Sequence, residues 1–126
     1  MTSPVDANVT SIMALSVDAP LGQAIAGGHR TAIVLDWRPA TLPTGDLLIV
    51  EAPRGTIERD ENAHGLALAV VRLAHIEDWS SPERGTCSTW PPGWVAWQFT
   101  DIRPLAHPIQ APARSGLYTI PLTQPL

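Results

Sequence analysis

The side chains in this chain best suited to chemistry are arginines and tryptophans, with one histidine set beside them. In the run Gly27-Gly28-His29-Arg30-Thr31-Ala32-Ile33-Val34-Leu35-Asp36-Trp37-Arg38-Pro39, Arg30 and Arg38 bracket an apolar stretch that ends in an indole. Arginine grips phosphate through a planar, two-pronged set of N–H donors. Arg30 and Arg38, with Arg72 and Arg103 further along, are therefore candidates for an anion-binding patch. Thr31 could add a hydroxyl hydrogen bond to the same ligand. Trp37 and Trp97 could stack a flat base, as aromatic rings do in single-strand binders. His29 could act as a general acid or base in RNA cleavage beside Arg30 and Thr31, chemistry that uses an imidazole. Each residue also has a plainer reading. The arginines could be solvated, or paired with Asp36 and Glu51; strand tryptophans often belong to a core; and a surface histidine often has no role.

Other reactive chemistry has little support. His29, His64, His75 and His107 lack metal-ligand spacing, and neither a zinc pattern nor a glycine-rich phosphate loop is present. Glu58, Asp60 and Glu61 make an acidic tip whose default reading is a solvated loop. Cys87 has no neighbouring His or Asp to activate it. No metal and no cofactor is therefore assigned, beyond a divalent ion should the chain cleave RNA.

Short elements must position these groups. Ser11 to Val17 reads as a first strand. Asp18-Ala19-Pro20 reads as a helix start, with a capping carboxylate and a proline in the first turn. Leu21, Ala24 and Ile25 share one helical face, and Gly27-Gly28 end the helix after about two turns. From Thr31 to Trp37 the alternate residues Thr31, Ile33, Leu35 and Trp37 share a strand face. Asp46 to Ala52 is a further strand, and residues 53–64 form a charged loop or hairpin tip. Gly65 to Ile76 is the strongest strand signal, with Ala67 and Ala69 expected on one face. Asp78 to Gly93 is a long irregular segment in which Trp79 and Trp90, with Trp94 just beyond, form an aromatic plug. Trp94 to Phe99 is a strand, Arg103 to Ser115 an extended proline-rich stretch, and Gly116 to Ile120 a last strand.

Composition sets the limits. The 126 residues predict one domain over 11–126 behind a loose tail at 1–10. Thirteen prolines and 9 glycines favour many short elements over a helical bundle. The fold class expected is mainly β with short helices: a small barrel of about six strands with a helix after the first. All eight basic side chains are arginine, and the net charge of -4 creates no global field for nucleic acid. Duplex DNA is therefore not an expected partner. A single cysteine fits a reduced, cytoplasmic setting. The start lacks the blocks of a signal peptide, and no apolar run reaches the length of a membrane span.

The order of the pieces resembles the ASCH domain, a branch of the PUA-like β-barrel superfamily. Its members typically show a strand, a Pro-started helix, Gly-x-Lys-Thr-x-Glu-x-Arg, Trp-Arg and a Gly-x-Leu-Leu-Ile strand. Here these positions read Leu15-Ser16, Pro20, Gly28 to Leu35, Trp37-Arg38 and Gly45 to Ile49. The match continues through Gly65 to Val71, Trp97, Arg103-Pro104-Leu105 and Gly116-Leu117-Tyr118, and covers about residues 12–121. The departures are instructive: the usual lysine is Arg30, the usual glutamate Ile33 and the usual arginine Leu35. Relatives that act as amidohydrolases on acetylated cytidine need a Lys-x-x-Thr pair and a distant Glu. Arginine stays protonated and cannot replace that lysine as a general base, so this activity is not expected here.

The resemblance implies a cleft between the first helix and the barrel that takes RNA or a nucleotide. Its expected ligand contacts are Arg30, Thr31, Trp37, Arg38, Arg72, Trp97 and Arg103, and its partner is single-stranded RNA, a nucleotide or a nucleoside. Two other readings stand beside it. One is a weak, metal-assisted ribonuclease using His29, Arg30 and Thr31. The other is a protein-interaction module whose cleft is filled by Ile33 and Leu35.

Overall fold

The computed structural model describes residues 10–59, 62–78 and 94–122. In chain order the elements are β1 (Thr10–Asp18), helix α1 (Leu21–Ala26), β2 (Ala32–Leu35) and β3 (Asp46–Ala52). The helical turn α2 (Thr56–Arg59), β4 (His64–Asp78), β5 (Val95–Pro112) and β6 (Leu117–Leu122) follow. The six strands form one mixed sheet in the order β2-β5-β4-β3-β1-β6. β1 runs parallel to β3 and antiparallel to β6, and the other neighbours are antiparallel. The expected class, a small β-barrel-like α+β fold with a helix after the first strand, is what the chain adopts.

Two apolar clusters flank the sheet, and the alternation of adjacent β3 residues feeds both. Leu48 and Val50 pack with Ile12, Ala14, Ala67 and Val70 in one cluster. Leu47 and Ile49 pack with Leu15, Ile25, Ile33, Val71 and Trp97 in the other, where α1 also rests. A strand apolar on both faces must be covered on both. Asp46 to Ala52 matches the sequence expectation for this reason.

α1 differs from expectation at its start and agrees at its end. Pro20 is the N-cap and carries no side-chain cap, and Asp18 does not reach the helix. The helix amide of Gln23 instead donates to Glu51 Oε2 of β3 at 3.0 Å, while Asp18 Oδ1 accepts from Gly55 N at 3.4 Å. At the C-terminus His29 N donates to Ala24 O at 2.9 Å and Gly28 N to Ile25 O at 3.0 Å. This double closure leaves its left-handed residue at Gly28, where φ is 78°.

Other departures follow from long-range pairing. The strand expected over Thr31 to Trp37 is paired only at Ala32–Leu35, although Ile33, Leu35 and Trp37 do share a core. The charged segment after β3 contains the turn α2 instead of a plain loop. A register shift at Leu68 sets Ala67 opposite Val50 and Ala69 opposite Ile49, so the two alanines face opposite ways. The proline-rich stretch is itself strand, because β5 continues to Pro112 against β4. β2 covers β5 only from Val95 to Gln98. Beyond it no described strand pairs with that edge of β5, where a missing proline N–H costs no ladder bond. The plug assigned to Trp79 and Trp90, the thiol of Cys87, and Asp60 and Glu61 of the acidic tip lie outside the described residues.

Candidate functional site

The residues singled out in the sequence do not meet at one place. Arg30 and Arg38 sit at opposite ends of β2. Arg30 is exposed; its Nε donates to Ala32 O at 3.4 Å, and it pairs with no carboxylate among the described residues. His29 and Thr31 are also exposed, and the Thr31 carbonyl accepts from Phe99 N at 2.7 Å. Arg38 pairs with Asp78 at 2.8 Å, so the plainer alternative of an ion pair holds for it, with a different acid from Asp36 or Glu51. Arg72 and Arg103 do converge, but on acids. Asp46 Oδ1 lies 3.3 Å from Arg72 and 2.6 Å from Arg103, and Asp101 Oδ2 lies 3.7 and 3.5 Å from the same pair. The hydrogen bond from Arg103, strengthened by both positive charges, holds the Asp46 carboxyl below its usual pKa. Two cations matched by two anions leave no net charge for a phosphate.

The tryptophans divide between core and cleft. Trp97 is fully buried, so it is a core residue and cannot stack a base. Its Nε1 donates to the Trp37 carbonyl at 3.3 Å. Its ring meets that of Trp37 edge-on, with centroids 4.9 Å apart and planes at 67°. This pairing seats Trp37, which is half-buried, as one wall of a cavity.

That cavity, about 210 Å³, lies between α1, β2, the end of β1 and the turn before β6. Leu21, Ile33, Leu35 and Trp37 form its apolar side; Ser16, Asp18 and Arg114 are among its polar lining. Ile33 and Leu35 line the space without filling it. A larger hollow of about 1010 Å³ opens at the other end of β1, beside Met13, Leu42 and Leu105. Its cation, Arg103, is already matched by Asp46.

Arg114 is the cation that the sequence reading missed. It is half-buried, and its Nη1 donates to the carbonyls of Ala63 and Ala113, both at 3.2 Å. Those two bonds use both Nη1 protons. Nε and Nη2 then form a fork that meets no acceptor, and no carboxylate pairs with the guanidinium, among the described residues. The backbone beneath is pinned as well: Arg114 N donates to Ser16 Oγ at 3.1 Å. Tyr118 spends its one proton on Pro112 O at 2.8 Å. The 2.7 Å contact between Ser16 Oγ and Tyr118 Oη is therefore a bond donated by the serine. Burial holds the Tyr118 hydroxyl above the ordinary phenol pKa, against weaker opposing effects from Ser16 and Arg114, so it remains a donor. In the sequence Arg114 sits in Pro112-Ala113-Arg114-Ser115-Gly116, where only an arginine beside a turn was visible.

No group of three or more His, Cys, Asp or Glu side chains that could hold a metal occurs among the described residues. No helix among them is long and apolar enough to cross a membrane.

No protein-family model and no curated protein matches the chain. Solved structures do. The ASCH protein of Zymomonas mobilis aligns with a TM-score of 0.53, covering 77% of this chain and 71% of that one at 16% identity. Its serine-to-alanine mutant aligns at 0.52 with 17% identity, over 77% of this chain and 72% of that one. The tyrosine-to-phenylalanine mutant aligns at 0.53 with 16% identity, over 77% and 73%. The fold is ASCH-like. In this ASCH-like fold the space between the first helix and the barrel is the cavity beside Trp37 and Arg114. Arg30 and Thr31, which the sequence resemblance set in this cleft, are not part of its lining.

Proposed function

We propose that this ASCH-like domain binds a nucleotide-type ligand, free or as part of single-stranded RNA, in the cleft between α1 and the sheet. The observation that carries this reading is the Nε–Nη2 fork of Arg114, unmatched among the described residues and held in place by two carbonyls beside a cavity with one apolar side. A guanidinium fixed in this way pays little further ordering entropy on gripping a phosphate through two parallel hydrogen bonds. Trp37 offers a flat aromatic wall for the base. A volume of about 210 Å³ falls below the roughly 300–1,000 Å³ of ordinary small-molecule pockets, which suits a single base more than a longer stretch. The phosphate contacts expected from Arg30, Arg38, Arg72 and Arg103 pass to Arg114 in this reading. The net charge of -4 agrees with a local contact in place of a broad basic surface.

The test is thermal unfolding of the full chain against nucleoside monophosphates, the matching nucleosides and short single-stranded RNAs at low salt. A ligand selective for the folded state raises the melting temperature. Wild type is expected to shift with nucleotides. Arg114→Lys keeps the charge but loses the fork, and is expected to weaken binding by about tenfold or more. Arg30→Ala is expected to leave the shift intact. A shift abolished by Arg30→Ala but kept in Arg114→Lys would move the site to the start of β2. No shift with any member of the panel would overturn the reading.

A further inference from the structure

The cleft is bounded on one side by a stretch of β1 that has lost its strand neighbour. β6 pairs with β1 from Thr10 to Leu15, where Leu15 faces Leu117, and goes no further. Gly116, at φ 73°, turns the chain just before that last pair. β3 continues alongside β1 as far as Asp18. Ala19 N donates to Ala52 O at 2.8 Å, so the main chain of Ala19 points towards β3. Successive residues of a strand turn their N–H and C=O to alternate sides. Val17 therefore also addresses β3, while Ser16 and Asp18 address the side that β6 has vacated. No described strand pairs with them there. An unpaired strand edge is a ready row of alternating donors and acceptors.

The side chains of Ser16 and Asp18 add to this row. Both residues line the cavity. The Ser16 hydroxyl is committed to Tyr118 and to Arg114 N. The Asp18 carboxylate accepts one long bond, from Gly55 N at 3.4 Å, and pairs with no cation among the described residues. An ionised carboxylate has room for about four acceptor contacts and can donate none. The cleft thus places an acceptor-only group and a free main-chain edge on β1, next to the residue that anchors Arg114.

We infer that the vacated edge of β1, with the Asp18 carboxylate, is the base-reading element of the cleft and selects nucleobases that carry an exocyclic amine. This inference rests on the nucleotide reading of the site and deepens it. An amine donates to the carboxylate, whereas a carbonyl at the same position sets two acceptors against each other. A site built around a buried or half-buried polar partner discriminates through that mismatch more strongly than an apolar pocket does. Asp18 is thus a specificity-determining residue, while Arg114 supplies affinity common to every nucleotide.

The experiment measures binding of the full chain to two matched pairs, cytidine against uridine 5′-monophosphate and adenosine against inosine 5′-monophosphate. Within each pair a carbonyl replaces the amine at one ring position, and the neighbouring ring nitrogen changes from an acceptor to an N–H. Wild type is expected to prefer the amine-bearing member by tenfold or more in both pairs. Asp18→Asn keeps an oxygen acceptor for Gly55 N and adds an amide donor. It is expected to erase or reverse the preference, with binding of uridine and inosine monophosphates retained or improved. A purely structural role for Asp18 would lower all four affinities together. That outcome, equal wild-type affinities within a pair, or an unchanged ratio in Asp18→Asn would each overturn the inference while leaving the nucleotide site standing. Failure of wild type to bind any of the four would instead overturn the nucleotide reading, and this one with it.

Discussion

Arg30 and Arg114 carry the same charge in different surroundings. Arg30 is exposed, and among the described residues its side chain reaches only a carbonyl two residues on. Arg114 is held by carbonyls from two segments, and its amide is tied to Ser16 across 98 residues of chain. Preorganisation of this kind lowers the ordering cost of any contact a side chain makes. The two tryptophans divide in the same manner. Trp97 fills the core and supports Trp37, which fronts the cleft. Trp97→Ala is expected to cost about 3–5 kcal/mol in urea unfolding, the range for removing a fully buried large aromatic. A loss below about 1 kcal/mol would show that the site collapses freely and that Trp97 is not the support. The sequence named both indoles but could not say which faced inward, since both fall at apolar positions of strand-like runs.

At the scale of elements, α1 is short and is seated by contacts from elsewhere in the chain. Six residues are too few to be stable alone in water. Its first turn donates the Gln23 amide to the Glu51 carboxylate, and its Gly22 lies against the same residue. A Cβ at Gly22 would sit 2.6 Å from Glu51 Cβ and 3.1 Å from Leu68 Cδ1. In a free helix Gly→Ala gains about 1 kcal/mol. Here Gly22→Ala is expected to lower the melting temperature, because the methyl group lifts α1 from β3 and β4. A rise on substitution would show that propensity outweighs the seating and that α1 is not anchored there. The glycines after α1 were legible as a stop because that closure is local, whereas the cap was not, its donor and acceptor lying 28 residues apart.

For the whole molecule, the sheet separates two apolar clusters that share its central strands. Ile49 belongs to one cluster and Val50 to the other, although they are neighbours in sequence. Both are fully buried. A small domain stabilised through one shared sheet should unfold in a single cooperative step. Ile49→Ala, at about 2–5 kcal/mol, and Val50→Ala should therefore lower one common transition, with tryptophan fluorescence and far-ultraviolet circular dichroism coincident. Separated transitions in either variant would show that the clusters unfold independently. The same architecture explains why the proline-rich stretch reads poorly from sequence. Its strand character comes from β4 beside it, not from its own residues.

The sequence by itself determined the apolar strands, the glycine-closed helix after the first strand, the β-rich class, the charge balance and the order of motifs that resembles ASCH domains. These properties reside in residues close together along the chain, where period, propensity and turn chemistry act. The tertiary structure decided which arginine fronts the cleft, which tryptophan is core, that Glu51 caps α1, and that Asp46 and Asp101 neutralise Arg72 and Arg103. It also brought Ser16 to Tyr118 across 102 residues and left one edge of β1 without a partner strand among the described residues. Each of those outcomes depends on strand order, on register shifts in β4 and on where β6 stops. A shift of one residue turns a side chain to the other face of the sheet, so the composition of the site follows from long-range pairing that no local stretch of sequence contains.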